Sequence, residues 1–270
     1  MKPESIYKLI IASFTLLSLL ACSWTFTAEF PTTTSPAPTE SPTVPPPPTP
    51  TPANPPPFVI STLNFTETGQ NSEYMINVQF PAVVENNDPR AQAFNDVIHT
   101  LMQGDIAAFK LSVLDAPDDP AFAASSFDVK YGMLFQNDRI SSIKFDHFVY
   151  ISGAAHPYGY SRTINYDLNQ GESLSLDELF HPGSNYLEAI AKYCIAELSQ
   201  RDIGFDVLST GAAPTPENYR NWNITPNGLM ITFDQYQVAA GAAGSQTVVL
   251  PYDELQSAID PEGPLAGIIP

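Results

Sequence analysis

The sequence predicts an α+β fold, a mostly antiparallel sheet with two main helices packed on one face. Three observations lead there: segments with period-2 alternation outnumber those with helical spacing, the helical patterns fall between groups of strands, and no strand-helix-strand rhythm repeats.

The folded region opens with strand-prone Phe58 to Thr66. In the next run Tyr74, Ile76, Val78 and Phe80 alternate with Met75, Asn77 and Gln79, and Pro81 ends it. A Gly69-Gln70-Asn71 turn makes these an antiparallel pair. After the polar break at Glu85 to Pro89, Phe94, Val97, Ile98, Leu101, Ala108 and Phe109 recur at helical spacing, which places a helix over Arg90 to Ser112 with Gly104 as its weak point. His99 lies beside this stripe as a boundary residue. Asp118-Asp119 lack the alternate ligands, Gly and distal Glu of a calcium loop, so the loop from Asp115 to Ser125 reads as a solvated turn.

Phe127, Val129, Tyr131, Met133 and Phe135 alternate up to the turn at Gln136-Asn137-Asp138. Ile143, Phe145, His147, Val149 and Ile151 alternate on the way back, so the pair reads as a hairpin with His147 at a core or rim position. The following strand puts Tyr160, Arg162, Ile164, Tyr166 and Leu168 on one face. Ser175 and Glu178 form a capping box for a short helix that His181-Pro182-Gly183 stops. The second main helix carries Leu187, Ile190, Ala191, Cys194 and Leu198 as its apolar stripe, which predicts a buried, inert Cys194. Trp222 to Ile224, Leu229 to Phe233 and Gln246 to Leu250 are the last strands, the loop from Gln237 to Ser245 is nearly free of bulk, and Tyr252 to Ala258 is a short closing helix.

The ends of the chain have another character. Lys2 and Lys8 precede an apolar run of about a dozen residues, too short to span a bilayer and suited to a signal peptide over residues 1–21. Leu19-Leu20-Ala21-Cys22 is similar to a bacterial lipobox, so Cys22 is the expected lipidation site and the expected location is the outer face of the cytoplasmic membrane or the cell surface, through the lipid. Residues 22–57 form a Pro/Thr-rich stalk, with 13 prolines between Pro31 and Pro57. At about 3.1 Å per residue in polyproline II geometry it reaches roughly 80 Å. Residues 58–270 make the folded domain, with halves at 58–150 and 151–258. Only Cys194 remains besides Cys22, so with Cys22 acylated the domain rests on its core without a disulfide.

The formal charge is −18, and loss of Lys2, Lys8 and Glu4 with the leader takes it to −19. Such acidity argues against nucleic acid and anionic membrane surfaces as partners and favours a cationic partner if there is one.

Gly153-Ala154-Ala155-His156-Pro157, Asn165-Tyr166-Asp167-Leu168, Gly171, Leu174, Leu176 and Leu179-Phe180 form one pattern. Leu229 to Phe233, Tyr236, Ala243-Gly244 and Val249 to Leu255 form its continuation. With Val78 to Pro81, Phe94-Asn95 and Ser141 to Ile143 before them, they resemble the exported domain of the lysozyme-sensing anti-sigma factor RsiV, which also accompanies peptidoglycan deacetylases of the PdaC type. The likeness covers Phe58 to Ala258. It implies a domain that binds a protein such as lysozyme from outside the cell, here with a lipid anchor in place of a membrane-spanning relay.

Catalytic patterns are thin. A glycan deacetylase needs a histidine pair to hold its metal, and Thr232-Phe233-Asp234 has no His-x-x-x-His to accompany it. Ser152, His156 and Asp167 make a triad on paper without a Gly-x-Ser-x-Gly elbow. The expectation is therefore a lipoprotein with a non-catalytic binding domain and no cofactor or metal, for which His156, Pro157, Tyr158, Tyr160 and Tyr236 are the candidate contact residues. Its partner is a cationic protein such as lysozyme or cell-wall peptidoglycan. The alternatives are an envelope glycan hydrolase or deacetylase-associated protein centred on His156, and a passive structural protein.

Overall fold

Alternating side chains build β1 (Ile60–Thr68) and β2 (Tyr74–Val83), which pair antiparallel. The computed structural model describes residues 58–70, 73–117, 121–203 and 208–268, all within the unit Pro52–Pro270. The predicted leader over 1–21, Cys22, the stalk over 22–57 and Asp118-Asp119 lie outside the described residues. Pro81 does not end its strand as expected. Past Val78 only β1 lies beside β2, so a residue without an N–H costs no ladder bond on the open side.

Asp88 caps α1 (Pro89–Leu114) by accepting a hydrogen bond from the Arg90 amide, with Pro89 at the first helical position. The helix connects β2 to β3 (Ser125–Gln136), and these two strands are parallel, so one strand-helix-strand crossover is present. The predicted hairpin follows as β3 and β4 (Ile140–Tyr150), and β5 (Tyr158–Asp167) and the short β6 (Glu172–Ser173) complete a six-stranded sheet in sequence order. Phe94, Ile98, Met102 and Phe109 of α1 bury against Ile76, Val78, Phe127, Val129 and Phe145 of this sheet.

The C-terminal half builds a second core. It contains α2 (Tyr186–Leu198), α3 (Leu208–Gly211) and a three-stranded antiparallel sheet of β7 (Trp222–Thr225), β8 (Gly228–Phe233) and β9 (Gln246–Leu250). Ile190, Ala191, Cys194 and Leu198 of α2 pack with Trp222, Ile224, Ile231 and Val248. Cys194 is fully buried, and burial pushes its thiol up to about 12, out of the reactive range. The expected single sheet with both helices on one face is thus replaced by two sheets, each with its own helix. Periodicity reports which face of an element is buried but not against what, and this is why the two cores merge in a sequence reading.

The sheets meet where β7 lies against β3, β4 and β5, on the face opposite α1. Among the described residues the outer edge of β7 has no strand partner, so its backbone groups need others. Asn165 of β5 supplies them: its Nδ2 donates to Trp222 O at 2.8 Å, and its Oδ1 accepts from Ile224 N at 3.1 Å and from Ser142 Oγ at 2.6 Å. Asn223 answers from β7 with Nδ2 bonds to Ser142 Oγ and Ile143 O, both 3.0 Å. All these groups are buried, so losing one partner leaves a desolvated donor or acceptor without compensation.

Replacing Asn165 by the isosteric Leu is expected to cost on the order of 3 kcal/mol, because it strands the Trp222 carbonyl and the Ile224 amide together. Urea denaturation measures this, and a loss below about 0.5 kcal/mol, the level of a neutral surface change, contradicts the docking role.

Candidate functional site

The face of the large sheet that turns away from α1 carries two polar rows. Register aligns Asp128, Phe148 and Gly159 in one row across β3, β4 and β5, and Lys130, Asp146 and Ser161 in the next. Gly159 pairs with Phe148 across the strands and carries no side chain, and a Cβ there would sit a tight 3.2 Å from His147 O. The segment after β8 forms the facing wall with Gln235, Gly244 and Ser245. Together they enclose an open cleft of about 600 Å³.

Its groups are held by neighbours. Asn77 Nδ2 donates to Asp128 Oδ1 at 2.9 Å, Lys144 Nζ pairs with Asp146 at 2.6 Å, and Ser161 Oγ donates to Asp146 at 3.2 Å. Phe148 remains 49% exposed, an apolar ring among charged and polar groups. In the facing wall, Gln235 Nε2 donates to Gly241 O at 2.7 Å and Asp234 N donates to Gln237 Oε1 at 3.1 Å. Tyr236 holds a φ of 69°, a left-handed conformation that a bulky side chain seldom adopts, and is 57% exposed. A Cβ on Gly241 would come within 2.1 Å of the Tyr236 ring, so the glycine in the small-residue loop makes room for that aromatic.

Under the cleft, on the α1 face, lies a polar cluster in the apolar core. His147 Nε2 is 3.1 Å from Asp105 Oδ2, and Arg162 Nε and Nη2 contact Asp105 Oδ1 at 3.0 and 2.9 Å. The Tyr160 ring stacks on His147 with centroids 4.3 Å apart. Burial pushes the Asp105 carboxyl up, but the hydrogen bond from His147 and the Arg162 charge outweigh it and hold the group below its ordinary value. Burial also raises the Tyr160 phenol. The predicted core position of His147 is what the structure shows; its partner Asp105, on α1, was not read from the sequence.

The five predicted contact residues separate. His156 and Pro157 are exposed in the turn before β5, where His156 Nδ1 is 3.0 Å from Pro157 O. Tyr158 is 45% exposed and stacks with Tyr160 at 6.4 Å, pointing with it toward the α1 side. Of the five, Tyr160 borders the cleft by its place in β5 while its ring stacks on His147 on the α1 side, and Tyr236 follows Gln235 of the cleft wall in sequence. The paper triad does not assemble: Ser152 and His156 precede the start of β5, Asp167 closes its ten residues, and at about 3.3 Å per residue the strand ends are roughly 30 Å apart. Asp167 is instead buried against Arg139, with Nε to Oδ2 at 2.7 Å. Asp234, the acid of Thr232-Phe233-Asp234, accepts from Ser161 N at 2.8 Å and Arg220 Nη2 at 2.8 Å, a structural role. Among the described residues no cluster of three His, Cys, Asp or Glu is arranged to hold a metal ion.

Sequence reasoning missed Asp128, Lys130, Asp146, Phe148, Ser161 and Gln235. Two signals were available. Phe148 occupies the polar register of its strand, and Gly159 interrupts the next strand, a position where something approaches the backbone.

These features define a two-sheet α+β domain with an open polar cleft between a sheet face and a loop. A family model described as a protein of unknown function, DUF3298, matches residues 177–253, which run from the turn after β6 to just past β9. The solved structure of a DUF3298 member from Bacteroides fragilis has the same fold, with a TM-score of 0.57 at 14% identity over 78% of this chain and 96% of that one. A DUF3298 protein from Pseudomonas aeruginosa PAO1 gives 0.54 at 17% identity over 81% and 99%. Esterase Rv3036c of Mycobacterium tuberculosis is 30% identical over 192 residues, 70% of this chain and 78% of that protein. The peptidoglycan-N-acetylmuramic acid deacetylase PdaC of Bacillus subtilis is 26% identical over 162 residues, 59% of this chain, and the chain spans only 34% of its length. The chain belongs to the DUF3298 family.

The Asp105 cluster gives a pH prediction. A carboxyl held low in the fold contributes stability above its unfolded value near 3.9, and that contribution is lost as pH falls through the folded value. Asp105→Asn is therefore expected to be less stable at pH 7, by about 1.5–3 kcal/mol for a lost charged hydrogen bond, and to show a flatter decline below about pH 4. Thermal melts of both proteins from pH 7 to 2.5 check this; parallel pH profiles contradict it.

Proposed function

We propose that this domain is a binding module for cell-envelope glycan, displayed on an exported chain lipid-anchored at Cys22 and held off the membrane by the stalk over 22–57. The observation that carries the reading is the exposed Phe148 ring beside the bare Gly159, flanked by Asp128, Asp146 and Lys130 in an open cleft. A pyranose ring offers an apolar face that packs on an aromatic and hydroxyls that need donors and acceptors at its rim, and this cleft presents both. Concavity favours a slender polymer over the flat contact that a globular protein makes. The resemblance to the RsiV extracellular domain supports binding as the mode of action, and the similarity to a protein named as a peptidoglycan deacetylase supports the envelope as the setting.

A second reading is ester hydrolysis, favoured by the 30% identity to a protein named as an esterase. Ser161 is the cleft hydroxyl in contact with a carboxylate, 3.2 Å from Asp146. The candidate His156 is exposed in the turn ahead of β5, and the His147 ring faces α1, so neither imidazole is placed as its base.

Co-sedimentation of the intact chain with purified peptidoglycan sacculi tests the binding reading. Wild type is expected to pellet, and Phe148→Ala to bind about thirtyfold or more weakly, as loss of a central aromatic contact costs about 2 kcal/mol or more. Absence of pelleting, or equal binding by the variant, sinks the cleft as a glycan site; capture of hen lysozyme instead favours a cationic protein. Under the glycan-binding reading p-nitrophenyl butyrate is not turned over, and turnover that Ser161→Ala abolishes establishes the hydrolase.

A further inference from the structure

The chain has only 11 lysines and arginines in 270 residues, yet two of the arginines meet in one groove. This groove, about 390 Å³, runs along the edge of β5 and adjoins the cleft, sharing Tyr160 and Ser161 with it. Beyond β4, β5 is paired only through Tyr166 and Asp167, so among the described residues no strand covers its edge from Gly159 to Ile164.

Arg162 enters the groove from the α1 side and Arg220 from the segment before β7, and their side chains are 50% and 58% exposed. Each is tethered through part of its guanidinium. Arg162 Nε and Nη2 are fixed on Asp105 Oδ1, and Arg220 Nη2 on Asp234 Oδ2 at 2.8 Å with Nη1 near Glu217 O at 3.3 Å. Asp234 is itself locked by Ser161 N and by Asn221 Nδ2 at 3.2 Å. A guanidinium has five N–H groups, so such tethers leave donors facing solvent while holding the planar fork still. The usual entropy cost of ordering an arginine on binding is then already met by the fold. Thr163 and Asn221 add neutral polar groups beside them.

We propose that the Arg162/Arg220 groove is a carboxylate subsite, which reads an acidic group on the glycan held in the neighbouring cleft. This rests on the glycan reading above. The two tethering acids cancel the net charge of the arginines, so recognition is by the directed hydrogen-bond fork, and it selects a planar carboxylate over a neutral amide. The carboxylate comes from the sugar itself, as a lactyl ether or uronic acid, or from the free end of an attached peptide.

Three probes separate these cases in calorimetric titrations of the intact chain: a peptide-free peptidoglycan glycan tetramer with free lactyl carboxylates, the same tetramer converted to methylamides, and diacetyl-Lys-D-Ala-D-Ala. The free tetramer is expected to bind about tenfold tighter than the amidated one, the worth of one charge-assisted hydrogen bond. In Arg220→Gln that ratio falls to about two or less while affinity for the amidated tetramer is unchanged. Arg162→Gln repeats the effect on the other side of the groove, and melting curves confirm that both variants fold. Competition by the peptide, lost in Arg220→Gln, assigns the carboxylate to a stem peptide. Equal binding of the two tetramers together with no Arg220-dependent competition by the peptide overturns the carboxylate subsite and leaves the glycan cleft standing. If neither tetramer binds, the glycan reading fails, and the subsite with it unless the peptide alone binds in an Arg220-dependent way.

Discussion

The side-chain amide of Asn165 ties the two sheets together at their junction. Asn165 stands in the middle of a sheet face and supplies the partners that a neighbouring strand would otherwise give to the open edge of β7. Among the described residues, the six-stranded sheet and the three-stranded sheet, each backed by its own helix, share no continuous hydrogen-bond ladder. Their junction is instead a buried polar layer of Ser142, Asn165 and Asn223, and such layers favour one register because a slip leaves several groups unsatisfied at once. The cleft depends on that register. One wall is a face of the large sheet, the other is a loop of the small-sheet half, and the Asp234 bond to the Ser161 amide joins them.

Polar and apolar demands are divided between the two sides of the large sheet. The α1 side carries the core, into which the charged Asp105–His147–Arg162 cluster intrudes, and the far side is free to present Asp128, Phe148 and Asp146. β5 links the two, since alternate residues of one strand reach the core cluster (Tyr160, Arg162) and the junction (Ser161, Asn165). The Arg162 that completes the core cluster also shows half its side chain in the edge groove, so internal stability and surface recognition share a residue.

How far the sequence led can be traced element by element. The strands from β1 to β5 and from β7 to β9, α1 and α2 were all legible, because burial on one face imposes a local period of 2 or 3.6. Burial of Cys194 and of His147 followed from the same register. Pairing was not legible: nothing local in Tyr74 to Val78 says that its neighbour beyond α1 runs parallel, and nothing local in Trp222 to Thr225 says that its edge rests on another sheet. The site was hidden for a related reason. Asp128, Phe148, Ser161 and Gln235 are each ordinary in their own surroundings, and only the tertiary fold brings them to one cleft. His156 and Pro157 attracted notice by composition but lie outside it, whereas Tyr160 borders it and Tyr236 neighbours it.

The central claim is that docking of the small sheet creates one cleft at Phe148 and Gly159 where envelope glycan rests. Amide chemical-shift mapping of the intact chain during titration with chitotetraose tests it most directly. The account predicts shifts concentrated at Asp128, Phe148, Gly159, Ser161 and Gln235, with His156 silent. Shifts centred on the turn at His156, or on the α1 side alone, would contradict it.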